Sequence, residues 1–162
     1  MNIISKDQLF INKARACAVT GHRILQKDFN KNALKELFKK MVEKEFNIFL
    51  VGMAIGFDTA CFQVLEEIRK DKDIKIIACV PCKNQDVRFN LEQQIEYRRM
   101  LSVADSVVIL SENYNSKCMQ QRNEFMVDNA SVVVAYKNRE TGGTANTVKY
   151  AIKTGVPIIE VK

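Results

Sequence analysis

Six short apolar runs, each separated from the next by a stretch with helical periodicity, constrain this chain more than any other feature. Residues 14–19 end at Thr20-Gly21, 46–51 at Gly52, 74–80 at Pro81, 106–110 at Ser111 and 131–136 at Lys137, with a last run at 157–161. The runs are continuous rather than alternating and rich in Val and Ile, as strands covered on both faces require. Between them, Leu34, Leu37, Phe38, Met41 and Val42 form one stripe at helical spacing, and Cys61, Val64, Leu65 and Ile68 form a second. Leu91, Ile95 and Leu101 outline a third helix; residues 119–129 and 144–154 supply two more, the last closed by Gly155 with Pro157 beyond it. The pattern predicts an α/β chain. Its expected architecture is a three-layer, Rossmann-like, doubly wound sheet of about six mainly parallel strands with five helices, joined by right-handed crossovers. The 162 residues read as a single domain, with 1–13 as an N-terminal extension.

Composition removes several classes. No stretch approaches the ~20 apolar residues of a membrane span, and residues 1–13 lack the apolar core of a secretory signal. Five cysteines (Cys17, Cys61, Cys79, Cys82, Cys118) without an export signal point to a reducing, cytoplasmic setting. Cys79-Val80-Pro81-Cys82 has C-x-x-C spacing but closes a strand, whereas redox pairs open a helix that lowers a thiol pKa. It reads as two small apolar residues. The net charge of +6 is concentrated in residues 1–45, which hold ten Lys/Arg against five Asp/Glu. Much of it (Lys31, Lys35, Lys39, Lys40, Lys44) falls on the solvent face of the first helix and says little about a ligand.

Glycine is scarce, so its placement carries information. Five of six (Gly21, Gly52, Gly56, Gly142, Gly143) lie just beyond a predicted strand, in turns that leave a parallel sheet at its carboxyl edge. Two readings stand: ordinary tight turns, or a cradle in which backbone N–H groups approach an anion at helix N-termini. Three such turns on one edge favour the cradle. None fits a dinucleotide fingerprint or a P-loop. Polar residues share that edge. Thr20-Gly21-His22-Arg23 follows the first strand, with Arg23 suited to phosphate and His22 more a structural hydrogen-bonder than a catalyst. Asp58 either caps the second helix or holds a ribose hydroxyl; Arg122 and Asn123 open the fourth.

Thr20-Gly21-His22-Arg23, Gly52-Met53-Ala54-Ile55-Gly56-Phe57-Asp58, Pro81 with Asn84-Gln85, Tyr97 with Met100-Leu101, Met119 to Asp128 and Thr141-Gly142-Gly143-Thr144 together resemble the YpsA-like branch of the SLOG superfamily. The likeness covers the chain from about Ala14 onward and is spread over five loops. It implies a fold that binds nucleotides or nucleotide-derived ligands such as ADP-ribose or NAD metabolites, and adds Met53, Ala54, Pro81 and Thr144 to the expected ligand-binding set. Relatives in the superfamily include LOG phosphoribohydrolases and DprA/Smf. The LOG pattern pairs a helical arginine with a glutamate; here Arg122 is kept, but Lys149 stands where the glutamate is expected. An ammonium would repel an oxocarbenium-like transition state, which argues against phosphoribohydrolase activity by that route. Where the branch has aromatic residues, this chain has Cys82 and Arg88.

The resulting expectation is a nucleotide- or ADP-ribose-like ligand bound for sensing or regulation, with no cofactor required and no catalytic residue or metal ligand singled out. The alternatives are a LOG-like nucleoside-monophosphate phosphoribohydrolase and a DprA-like nucleic-acid-binding protein. A regulatory protein or a second copy of the chain are further expected partners; nucleic acid ranks below them and a membrane is not expected.

Overall fold

The computed structural model describes residues 1–162. Seven strands, β1 (Ile3–Ile4), β2 (Ala16–Gly21), β3 (Ile48–Val51), β4 (Lys75–Val80), β5 (Ser106–Ile109), β6 (Val132–Tyr136) and β7 (Ile158–Glu160), alternate with five helices from β2 onward. The helices are α1 (Lys31–Glu43), α2 (Phe57–Arg69), α3 (Leu91–Val103), α4 (Cys118–Asp128) and α5 (Gly143–Thr154). All strands pair in parallel in the order β1-β5-β4-β3-β2-β6-β7.

The strand register divides the core into two layers, since successive side chains leave a strand on opposite faces. Cys17, Val19, Phe49, Val51, Ile76 and Val134 meet α1, α2 and α3 through Leu34, Phe38, Leu65 and Met100. Ala16, Ala18, Leu50, Ile77, Cys79 and Ala135 meet α4 and α5 through Met126, Val127, Val148 and Ala151. This is the expected doubly wound sheet. The seventh strand was hidden in the polar 1–13 segment: Ile3 and Ile4 pair with Val107 and Val108 on the edge strand β5, and Asn2 donates to the Asp105 carbonyl at 2.7 Å. Two residues are too few to show a strand period.

The direction in which the connections move across the sheet reverses at β2. From its end the chain moves through α1 toward β3, whereas from β6, its other neighbour, it moves through α5 toward β7. Two connections that diverge from adjacent parallel strands leave a crevice between them, on the carboxyl side of the sheet.

Candidate functional site

A cleft of about 600 Å³ occupies that crevice. The turn after β2 supplies Thr20, Gly21, His22 and Arg23, the β3 turn supplies Gly52 and Ala54, and α2, α4 and α5 supply Asp58, Arg122 with Asn123, and Gly143 with Thr144. Helices α1 and α3 contribute nothing to it. Those two are also the helices with side-chain caps: Asn30 accepts from Ala33 N–H at 3.0 Å, and Asn90 forms a capping box with Gln93. The three cleft helices have no side-chain cap. At α5 the Gly143 and Thr144 N–H groups have no acceptor within the chain, leaving donors and the positive dipole end at the cleft wall.

The glycines are there for two different reasons. A Cβ on Gly21 would enter the Phe57 ring, one on Gly52 would lie 2.8 Å from the Arg122 guanidinium, and one on Gly56 would strike the Arg23 carbonyl. Gly56 also has φ 81°, open only to glycine at low cost. These glycines make room for the protein's own atoms. Around Gly143 nothing lies within 4 Å of such a Cβ, so only the β6–α5 turn is left open in the way a ligand cradle requires.

Arg122 is 5% exposed and anchored by its surroundings. Its Nη1 donates to the Gly52 carbonyl and, at 3.3 Å, to the Cys79 carbonyl; Nε donates to Asn123 Oδ1 at 2.7 Å and Nη2 to Met119 Sδ at 3.8 Å. Burial lowers its pKa, opposed chiefly by the charge of Asp58. Four of its five N–H donors are thus engaged, two joining α4 to the ends of β3 and β4 and two within α4 itself. Exposed Arg23 is the freer cation.

Asp58, also 5% exposed, accepts from Ala54 N–H at 3.1 Å through Oδ2, while its Oδ1 is buried without any partner. Burial pushes its pKa up to about 6, against the opposing pull of Arg122, the Ala54 N–H and Arg23. It is the only acid among the lining residues. Thr20 and Thr144, each more than nine-tenths buried on the cleft wall, have hydroxyls with no intramolecular hydrogen bond. His22 accepts from Asn138 N–H at 2.9 Å through Nε2, and its carbonyl accepts from Phe57 N–H at 3.1 Å. Burial, then Arg139 and Lys137, lower its pKa, so it stays neutral and ties three loops together.

Eleven of the fifteen residues expected at the site line the cleft. Met53 turns inward at φ 65° into the core, Gly56 sits behind the wall at the start of α2, Pro81 is buried at the end of β4, and Gly142 precedes α5 outside the lining. Lys149 lies exposed on α5 away from the cleft; one turn after Thr144 stands Thr147, whose hydroxyl donates to the Gly143 carbonyl at 2.8 Å. Arg139 was not anticipated. It lines the cleft, and its Nη2 lies 3.4 Å from where a Gly142 Cβ would be, but it sits in a polar loop with no apolar run to flag it. Cys79 and Cys82 are fully buried, and burial pushes the Cys79 thiol up to about 12, which keeps it protonated. No three His, Cys, Asp or Glu side chains group to hold a metal ion, and no helix is long and apolar enough to cross a membrane.

Residues 19–156 match the model of the YspA SLOG family. The chain is 32% identical over 140 residues to the uncharacterized SPbeta prophage-derived protein YoqJ of Bacillus subtilis (strain 168), covering 76% of this chain and 81% of that protein. Among solved structures it is similar to DNA processing protein A (DprA) from Streptococcus pneumoniae, with TM-score 0.69, 17% identity, and coverage of 93% of this chain and 51% of that one. DprA from Helicobacter pylori, described for its single-stranded DNA binding mode, matches with TM-score 0.65 and 15% identity over 93% of this chain and 66% of that one. TM1055 matches with TM-score 0.60 and 18% identity over 89% and 72%. The chain thus spans about half the length of the pneumococcal protein. At these identities the solved structures speak for the fold alone.

Proposed function

Because the chain belongs to the YspA SLOG family, we propose that it binds a nucleotide or nucleotide-derived ligand, ADP-ribose- or NAD-like, in the carboxyl-edge cleft, and that it serves sensing or regulation. The observation that carries this reading is the set of polar groups without a partner in the chain that line one cleft: the buried Asp58 Oδ1, the Gly143 and Thr144 N–H groups, and the Thr20 and Thr144 hydroxyls that open onto it. Buried polar groups are almost always paired, so the unpaired Asp58 oxygen beside a set of free donors in one cleft favours a partner that arrives from outside. A phosphate at the α5 N-terminus, with Arg23 and Arg139 beside it, satisfies the donors. A ribose hydroxyl donating to Asp58 Oδ1 satisfies the acceptor. Calorimetry with ADP-ribose, NAD, AMP and cyclic nucleotides tests the reading. Saturable binding to at least one, lost in Gly143→Trp, is expected; no heat with any of them overturns it.

The position of Asp58 favours a second reading, hydrolysis of a nucleoside monophosphate. A carboxyl group with a pKa near 6 could protonate a leaving base. Incubation with AMP and chromatography for adenine decides it, release being lost in Asp58→Asn. A third reading, nucleic-acid binding, takes its support from the DprA-like fold and would show affinity falling steeply with salt.

A further inference from the structure

The cleft has a side pocket, and we propose that it is an aromatic-base subsite, so that the ligand runs from its phosphate at α5 to a planar base lodged between the loops after β4 and β5. This rests on the phosphate-cradle reading above and names the other end of the same ligand. The pocket, of about 390 Å³, shares Arg23, Ala54 and Met119 with the cleft, so one molecule can occupy both. Its own lining includes Val87, Arg88 and Phe89 from the segment after β4 and Tyr114 from the loop after β5.

The walls are built before any ligand comes. Asn84 Oδ1 accepts from the Tyr114 N–H at 3.2 Å, Lys83 N–H donates to the Glu112 carbonyl at 3.3 Å, and Lys83 Nζ pairs with Glu112 Oε1 at 2.8 Å. Three contacts therefore hold the β4–α3 and β5–α4 loops in fixed relation. Gln85, buried at the base, donates to the Gly52 carbonyl at 3.1 Å and accepts from the Tyr97 hydroxyl at 3.1 Å, which connects the pocket to the β3 turn of the cleft. With both ends of Gln85 engaged, the free hydrogen-bonding group is the Asn84 Nδ2 amide, two donors for acceptors on a base edge. Tyr114 is 63% exposed and Val87 66%, although both line the pocket, and Arg88 forms no ion pair. An exposed aromatic ring, an aliphatic side chain and an unpaired guanidinium around an amide donor suit the face and edge of a nucleobase. A bare sugar phosphate would leave them in water.

The test compares AMP, GMP, CMP and UMP with ribose 5-phosphate by calorimetry on the full chain, in wild type, Tyr114→Ala and Tyr114→Phe. At least one nucleoside monophosphate is expected to bind about tenfold or more tightly than ribose 5-phosphate. Tyr114→Ala should reduce its affinity to that of ribose 5-phosphate without changing the latter, and Tyr114→Phe should restore it. With four tyrosines and no tryptophan, ligand binding should also quench tyrosine emission in wild type and much less in Tyr114→Ala. Equal affinity for nucleotides and ribose 5-phosphate, or equal losses for both in Tyr114→Ala, overturns the base subsite and leaves the phosphate cradle intact. Failure of all five compounds to bind wild type overturns the base subsite, and failure of ADP-ribose and NAD as well overturns the phosphate cradle with it.

Discussion

The turns after β2 and β3 and the turn after β6 look alike in sequence, each a glycine-bearing break between a strand and a helix, yet they differ physically. In the first two the space beside glycine is filled by Phe57, by the Arg122 guanidinium and by the Arg23 carbonyl. In the third, Gly143 has nothing beside it and opens a helix whose first N–H groups are unpaired. The first pair is masonry: glycine lets the chain pack on itself and thereby hold Asp58 and Arg122 in place. The third is open space on the cleft wall. A glycine in a βα turn therefore signals close approach, but the approaching group is often another part of the chain.

Substitutions should separate the two kinds of turn, with the largest effect at Gly56. Gly56→Val combines a β-branched residue at φ 81° with a backbone collision and should cost about 3–5 kcal/mol, read by denaturant unfolding. A cost below about 1 kcal/mol would break the distinction. Arg122→Met comes next. It removes the link from α4 to β3 and β4 and leaves Asp58 without its compensating cation, at a cost of about 3 kcal/mol at pH 7. Part of that loss should disappear at pH 5, where Asp58 is protonated.

The third prediction turns on the sign of the Asp58 shift. Its folded-state pKa, about 6, lies above its ordinary value of 3.8, so between these values the native state binds more protons than the unfolded state. Stability attributable to this group therefore falls as pH rises from about 4 to about 6 and is level above that, a cost of about 3 kcal/mol at pH 7. Asp58→Asn, which keeps an acceptor for the Ala54 N–H, should recover about 2 kcal/mol at pH 7 and flatten the profile. The same variant should weaken ligand binding by about tenfold, since an ionised Oδ1 is a stronger acceptor than an amide. The smallest stability effect belongs to Gly143→Ala. With open space and no positive φ, it should change stability by less than about 1 kcal/mol while lowering ligand affinity. A large drop in melting temperature would show that this turn, too, is structural.

The arrangement of the cleft helices was only half legible in the sequence. The Asn30 and Asn90 caps are local contacts, since each side chain bonds to a backbone N–H three residues away. The gathering of Asp58, Arg122 and Thr144 at one edge followed from the expected topology, but that α2, α4 and α5 lack side-chain caps was visible only in the structure. Arg139 and Tyr114 were missed for the same reason: nothing in a polar loop's sequence reports which cavity its side chains line.

What the amino-acid sequence determined by itself was the alternation of buried strands and amphipathic helices, hence the parallel sheet, the edge at which the loops gather and the family to which the chain belongs. Those properties depend on periodicity and on short motifs, which a linear text contains in full. Only the tertiary structure decided which glycines serve packing and which stay open, that Arg122 is bound to carbonyls rather than free for an anion, that Asp58 keeps an unpaired oxygen, and that Ile3–Ile4 completes the sheet. Each of these depends on what lies beside a residue across tens of positions, and such proximity exists only once the chain has folded.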